Sequence, residues 1–292
     1  MAKARQIKGR IRSVQNTRKI TRTMELVATS KLKRAQDRVV GARPYSEALR
    51  QVIGDLVTPE LSQQFPLLRR PAPPERGGPA RAAVVLITSN RGLAGGFNAN
   101  LIKEARRNLE RLEAAGLQVD LHGIGKKGIG FFKYMGRPLA AQRLDIGDKP
   151  TFEHAVEVAD GLIREYESGR LANVELVYAQ FITPLSTPPT TLRILPIDPP
   201  AAGGPRPDYL LKPGAREILE GLLPLYVRNI IYRGLIETAA AEHGARRTAM
   251  KNATDNAGDL IERLTRTYNR QRQAQITQEI AEIVGGAQAL QG

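Results

Sequence analysis

Gly123, Gly125 and Gly128 spell G-x-G-x-x-G directly after an apolar-rich stretch. That spacing lets a strand-to-helix turn carry a dinucleotide pyrophosphate on a helix N-terminus, and Asp145 or Asp148 follows at about the distance of a ribose-binding acid. The context argues against that chemistry. The next helix has room for only about eight residues before Gly136 and Pro138, and the motif follows the second strand of its domain instead of the first. A tight turn is expected. The segment Ser89 to Phe97, SNRGLAGGF, is a second glycine-rich strand-to-helix loop where a phosphate could sit. It lacks the G-x-x-x-x-G-K-[ST] pattern of a phosphate-cradling loop, so a turn or a protein contact is the expectation there too. His122, His154 and His243 are scattered without ligand spacing and cysteine is absent, which removes thiolate and disulfide chemistry. The carboxylates Glu279 and Glu282 have neither a pocket nor a nucleophile beside them, so general acid–base work is unsupported. No cofactor, metal site or catalytic residue is expected.

Charge carries more information. Residues 1–50 hold 14 Lys/Arg against 3 Asp/Glu, so most of the +15 net charge of the 292-residue chain lies at one end. A one-signed helix repels itself and implies an acidic partner: nucleic acid, anionic lipid or an acidic protein surface. An Arg-rich opening is also a feature of mitochondrial transit peptides. Serine is scarce there, however, and the helical pattern runs on past residue 50, which argues against cleavage. The longest uninterrupted apolar run, Ala82 to Ile87, is far short of the roughly 18 residues that cross a bilayer.

The elements that must present this charge are two long helices. Positions seven apart read Ile7, Val14, Thr21, Ala28, Ala35, Ala42 and Leu49, beside a second stripe of Ile11, Leu32, Val39 and Ile53. This predicts a helix over residues 1–57 with a bend near Pro44, and small residues that admit a close partner. From Leu225 to Val284 apolar residues recur at helical spacing, which predicts a second helix begun by a break at Pro224 and frayed at Gly285 and Gly286. Between them, strands at Val84–Thr88, Gln118–Ile124, Glu175–Phe181 and Thr191–Ile197 alternate with helices near Asn98–Ala115, Ile129–Met135 and Glu153–Glu167. The expected fold is α/β plus long helices: an antiparallel coiled coil of the N- and C-terminal helices with an inserted Rossmann-like α/β domain. Its boundaries are residues 1–57 for the first helix, 58–80 for a proline-rich linker, 81–197 for the α/β domain, 198–213 for a second such linker and 214–292 for the last helix. The joints carry Pro59, Pro66, Pro71, Pro73, Pro74 and Pro79 on entry, then Pro196, Pro199, Pro200, Pro205, Pro207 and Pro213 on exit, and are expected to be stiff and non-helical.

Four segments together resemble a known family over essentially the whole chain. IRSVQNTRKITRTMELVATS (Ile11 to Ser30), TSNRGLAGGFN (Thr88 to Asn98), MKNATDNAGDLI (Met250 to Ile261) and ITQEIAEIVGGAQA (Ile276 to Ala289) occur in the order found in the gamma subunit of the F-type, rotary ATP synthase. The last fits I-T-x-E-x-x-[DE]-x-x-x-G-A-x-A. The absence of cysteine and of an extra segment in the α/β domain sets the chain apart from the thiol-regulated chloroplast type.

The resemblance implies a non-catalytic central shaft. Such a shaft turns inside a hexamer of alpha and beta subunits and couples proton-driven rotation of a membrane c-ring, bound at its base with the epsilon subunit, to ATP synthesis. It implies a peripheral position on the cytoplasmic face of a bacterial plasma membrane. It further implies that Met24 lies where the shaft passes the beta subunits' moving domains. Arg246, Arg272, Gln273, Thr277 and Glu279 match positions that contact the inner collar of the hexamer, and Ile280, Ile283, Val284 and Leu290 form an apolar tip in its sleeve. The residues alone leave two other readings, a nucleic-acid-binding coiled coil and an NAD-type domain with helical arms. The first lacks interleaved aromatics and a recognition module, and the second rests on the glycine motif alone.

Overall fold

The computed structural model describes residues 2–69, 80–198 and 214–289. Pro71, Pro73, Pro74, Pro79, Pro199, Pro200, Pro205, Pro207, Pro213 and Leu290 fall outside them. The chain forms two compact units, Met1–Ala28 with Arg247–Gly292, and Thr29–Arg246. Helix α1 (Ala2–Leu56) and helix α6 (Ala215–Ala289) contribute to both.

In the first unit the two helices pair antiparallel: Thr21 meets Thr254 through their hydroxyls at 2.8 Å, while Arg18 lies over Gly258. Thr21, Glu25 and Ala28 of α1 are buried, as are Met250, Thr254 and Ala257 of α6. Alanine at both Ala28 and Ala257 lets the backbones approach. The hydroxyl pair is a polar contact across a seam of small and apolar residues that also buries Glu25, the kind of feature that fixes register.

The second unit is built on a five-stranded sheet. Its strands are β1 (Arg81–Ile87), β2 (Gln118–Ile124), β3 (Ala141–Arg143), β4 (Asn173–Ala179) and β5 (Pro189–Leu195), in spatial order β3-β2-β1-β4-β5. All neighbours are parallel except β4 and β5. Helices α3 (Phe97–Ala114), α4 (Lys126–Tyr134) and α5 (Phe152–Glu167) make the crossovers. Strand β1 is buried on both faces, which is why it reads as an unbroken apolar run. Ala83, Val85 and Ile87 pack in one cluster with Ala159, Leu162 and Tyr166 of α5, Ile53 of α1, and Leu223, Val227 and Ile231 of α6. Val84 and Leu86 pack in the other with Leu101, Ala105, Leu109 and Leu112 of α3 and with Leu32, Ala35 and Val39 of α1. Here too α1 and α6 are joined by a side-chain hydrogen bond, Ser46 Oγ donating to Asn229 Oδ1 at 2.7 Å.

Three expectations are corrected. Helix α6 begins at Ala215, so Pro224 lies inside it and starts nothing. Helix α1, by contrast, is the single helix expected, with Pro44 inside it. A helical proline forfeits one backbone hydrogen bond, but Leu219, Leu223 and Val227 around Pro224, and Val39 and Leu49 around Pro44, are buried anchors on both sides that hold the helix together. Nor does α6 end at Gly285 and Gly286; it continues to Ala289. The linker at 58–80 is partly helical: α2 (Pro59–Gln64) starts with proline at its first turn, and Thr58 Oγ1 caps it by accepting from Leu61 N at 3.3 Å. A 3-10 turn at Pro66–Leu68 then buries Leu67. The short strand β3 carries no apolar signal of its own and was not anticipated.

Candidate partner-contact surfaces

The two glycine-rich loops turn out to be one structure. The backbone N–H groups at the start of α4 are all taken by the other loop: Lys126 N donates to Asn90 Oδ1 (2.8 Å), Lys127 N to Ser89 O (3.1 Å) and Gly128 N to Thr88 Oγ1 (2.9 Å). The donors of α4 that would hold a phosphate after the G-x-G-x-x-G turn are therefore spent within the chain. Gly125 has φ +94°, and a Cβ there would fall 2.0 Å from Thr88 O; one at Gly128 would meet the Thr88 side chain at 2.9 Å. The glycines exist to let Thr88 in. Ser89 N donates in turn to Asn98 Oδ1 at 3.0 Å, which fastens the first loop to the start of α3.

The buried carboxylates are likewise committed to internal pairs. Glu175 is gripped by Arg111 Nη2 at 2.7 and 2.6 Å, which with other hydrogen bonds holds its pKa below the ordinary value against the opposing effect of burial. Glu237 accepts from Arg233 Nε at 2.6 Å and from Phe181 N at 3.0 Å, tying α6 to the end of β4. Glu242 pairs with Arg246 at 2.6 Å, yet burial still pushes its pKa up. Lys31 bonds Asp148, linking α1 to the loop before α5. Among the histidines, His154 Nδ1 accepts from Thr151 N at 3.1 Å to cap α5, while burial lowers His122 and takes His243 down to about 4. No group of three His, Cys, Asp or Glu among the described residues is placed to hold a metal ion.

Of the residues singled out for partner contact, Arg246 belongs to the second unit. Its side chain is only 11% exposed and also donates to Gly92 O at 3.2 Å, so it pins the first glycine loop to α6. The others lie in the first unit. Met24 is half-buried on α1. Arg272, Gln273, Thr277 and Glu279 are exposed on α6, with only intrahelical bonds such as Thr277 Oγ1 to Gln273 O (3.0 Å) and Gln275 Nε2 to Glu279 Oε1 (3.0 Å). Ile280, Ile283 and Val284 are 56%, 71% and 52% exposed, and Ile276, at 44%, extends the same face one turn back. Among the described residues nothing covers this stripe.

Ile20, Leu26 and Val27 were missed by the sequence reasoning, although they are the most exposed apolar side chains of α1 in this unit. Ile20 and Val27 sit one place before Thr21 and Ala28 of the buried stripe and share a face with Met24. The signal was apolar residues at heptad spacing just off the seam. Beside them, Arg18, Lys19 and Arg22 line a groove of about 880 Å³ with Thr254 and Asp255, a surface that favours acidic groups. No helix among the described residues is long and apolar enough to cross a membrane.

Comparison with known proteins gives the family and the fold. The family described as ATP synthase matches residues 3–290. The chain is 58% identical to the ATP synthase gamma chain of Gemmatimonas aurantiaca, covering 100% of both chains, and 44% identical to that of Frankia casuarinae, covering 98% and 97%. Among solved structures it superposes with a TM-score of 0.68 at 19% identity on a chain of the Euglena gracilis mitochondrial ATP synthase, covering 99% and 95%. With a chain from the central stalk and c-ring of the Tetrahymena thermophila mitochondrial enzyme the TM-score is 0.61 at 23% identity, covering 80% and 99%.

Proposed function

The chain belongs to the ATP synthase gamma-chain family, and from that premise we propose that it is the central rotor shaft of an F-type ATP synthase, with no active site of its own. In this reading the alpha and beta subunits form a hexamer around the first unit. The second unit carries the epsilon subunit and the membrane c-ring, peripheral to the cytoplasmic face of a bacterial membrane. Proton-driven turning of the ring rotates the shaft, and the shaft drives ATP synthesis in the hexamer.

The observation that carries the proposal is the uncovered apolar stripe Ile276, Ile280, Ile283 and Val284 at the far end of α6. An apolar helix face without a partner is a liability in water and gains by burial, at about 25 cal/mol per Å². A smooth apolar sleeve would cover it without fixing its angle, because hydrophobic contact is not directional. Met24, Arg272, Gln273, Thr277 and Glu279 supply polar and half-buried contacts beside and below it, and Arg246 acts by holding the Gly92 loop. The basic circumference of α1 differs from the mixed face of α6, so one shaft presents a different surface to each beta subunit and biases each toward a different conformation. Contacts of cations with acidic loops are screened and non-rigid, which suits an interface that must break at every step.

Reconstitution with purified alpha and beta subunits tests the reading. The chain should co-elute with the hexamer and raise its ATPase activity. A hexamer that takes up none of it and keeps unchanged activity would sink the proposal.

A further inference from the structure

Helices α3 and α4 leave a groove of about 670 Å³ on the second unit. Its floor is apolar, made by Ile102 of α3 and Phe131 of α4, both half-buried and packed against the core. Its rim is basic: Lys103, Arg106 and Arg107 on one side and Lys127 on the other, with Glu110 the single acid. Arg106 reaches Glu110 at 3.7 Å. Lys103, Arg107 and Lys127 are exposed and make no ion pair among the described residues. The three are held around an apolar strip, and no described acid pairs with them. The partner-contact residues of α1 and α6 take no part in this groove.

We propose that this groove docks an acidic amphipathic helix of another polypeptide. Two helix edges flanking an apolar floor form the trough in which helix-in-groove recognition works. The lining residues of α3 run from Asn98 to Glu110, a length of about 18 Å that would match about three turns of a guest. Apolar residues of the guest at i, i+3, i+4 and i+7 would cover Ile102 and Phe131, and flanking Asp or Glu would reach Lys103 and Arg107 on one wall and Lys127 on the other. Cations on both walls select a guest that is acidic on both flanks. A flat anionic bilayer would reach the rim but not the recessed floor. A nucleic-acid strand would want a row of aromatic platforms, and the groove has one ring.

The test uses the full chain and a fluorescent synthetic helix of about 18 residues, with Leu on one face and Glu on both flanks, read by anisotropy. A control peptide has the same composition in scrambled order. Saturable binding of the amphipathic peptide at least tenfold tighter than the scrambled one is expected. The double variant Lys103→Glu with Arg107→Glu should weaken it at least tenfold, and so, independently on α4, should Lys127→Glu. Arg170→Glu, outside the groove, should leave it unchanged. Circular dichroism confirms that each variant is folded. Equal binding of both peptides, folded groove variants that bind as well as the parent, or preferential binding of anionic phospholipid vesicles or a single-stranded oligonucleotide at the same residues would overturn the proposal.

Discussion

His243 and Glu242 are neighbours on α6, and burial displaces them in opposite directions along the pH scale. The imidazole titrates at about 4, well below its ordinary 6.5, so the unfolded chain binds its proton more readily than the folded one. Its contribution to stability is complete above about pH 6.5 and is lost as the pH falls to about 4. Asp148 favours the charged imidazole and so opposes the shift, whereas Arg246, Lys31 and Arg34 reinforce it. For Glu242 the pKa is raised, so acidification relieves its cost and partly masks the histidine. Replacing His243→Gln should therefore flatten the denaturant stability measured between pH 6.5 and 4 by an amount on the order of 1–3 kcal/mol. Arg246 poses a sharper case. Arg246→Met strands Glu242 in a buried site and releases the Gly92 loop, which should cost about 3 kcal/mol in chemical denaturation, while the double change with Glu242→Gln should recover part of that loss. At this scale the sequence was least legible. Nothing local in it distinguishes Arg246, half-buried and paired, from Arg272, which is exposed. The service of Thr88 and Asn90 as caps for α4 required two loops about 36 residues apart to be brought together.

Helices were the most legible elements because a heptad stripe repeats one signal many times. Ala28, Leu32, Ala35, Val39, Leu49 and Ile53, all read from spacing alone, are buried. The misreading concerned Pro224, where a local rule about backbone hydrogen bonds was outweighed by apolar anchors on both sides. Strand β3 was illegible because three half-exposed or exposed residues carry no alternation. An exposed helical proline that is tolerated still costs the fold, so Pro44→Ala should raise stability by about 1–3 kcal/mol, read as a higher melting temperature. In the seam, Thr21 and Thr254 should be coupled. A double-mutant cycle to valine is expected to give an interaction of about 0.5–1.5 kcal/mol, and additivity of the two single changes would mean that the hydroxyl pair does not stabilise the register.

For the whole molecule, family membership follows from sequence, and rotation is the claim that still needs motion. The concentration of 14 cations against 3 acids in the first 50 residues implies that capture by the hexamer weakens as salt rises, because exposed charges are screened beyond about 8 Å at physiological ionic strength. The apolar stripe on α6 should resist salt. Ile280→Ser combined with Ile283→Ser should therefore lower hexamer binding at high salt more than at low salt. The chain has no cysteine, so one introduced at Arg170, exposed after α5, gives a single attachment point. The most direct measurement fixes the alpha–beta hexamer to a surface, attaches a bead through Arg170→Cys and adds ATP. The account predicts that the bead turns in one direction, pausing once for each beta subunit. A bead that stays still or merely jitters about one angle while the hexamer hydrolyses ATP at full rate would contradict it.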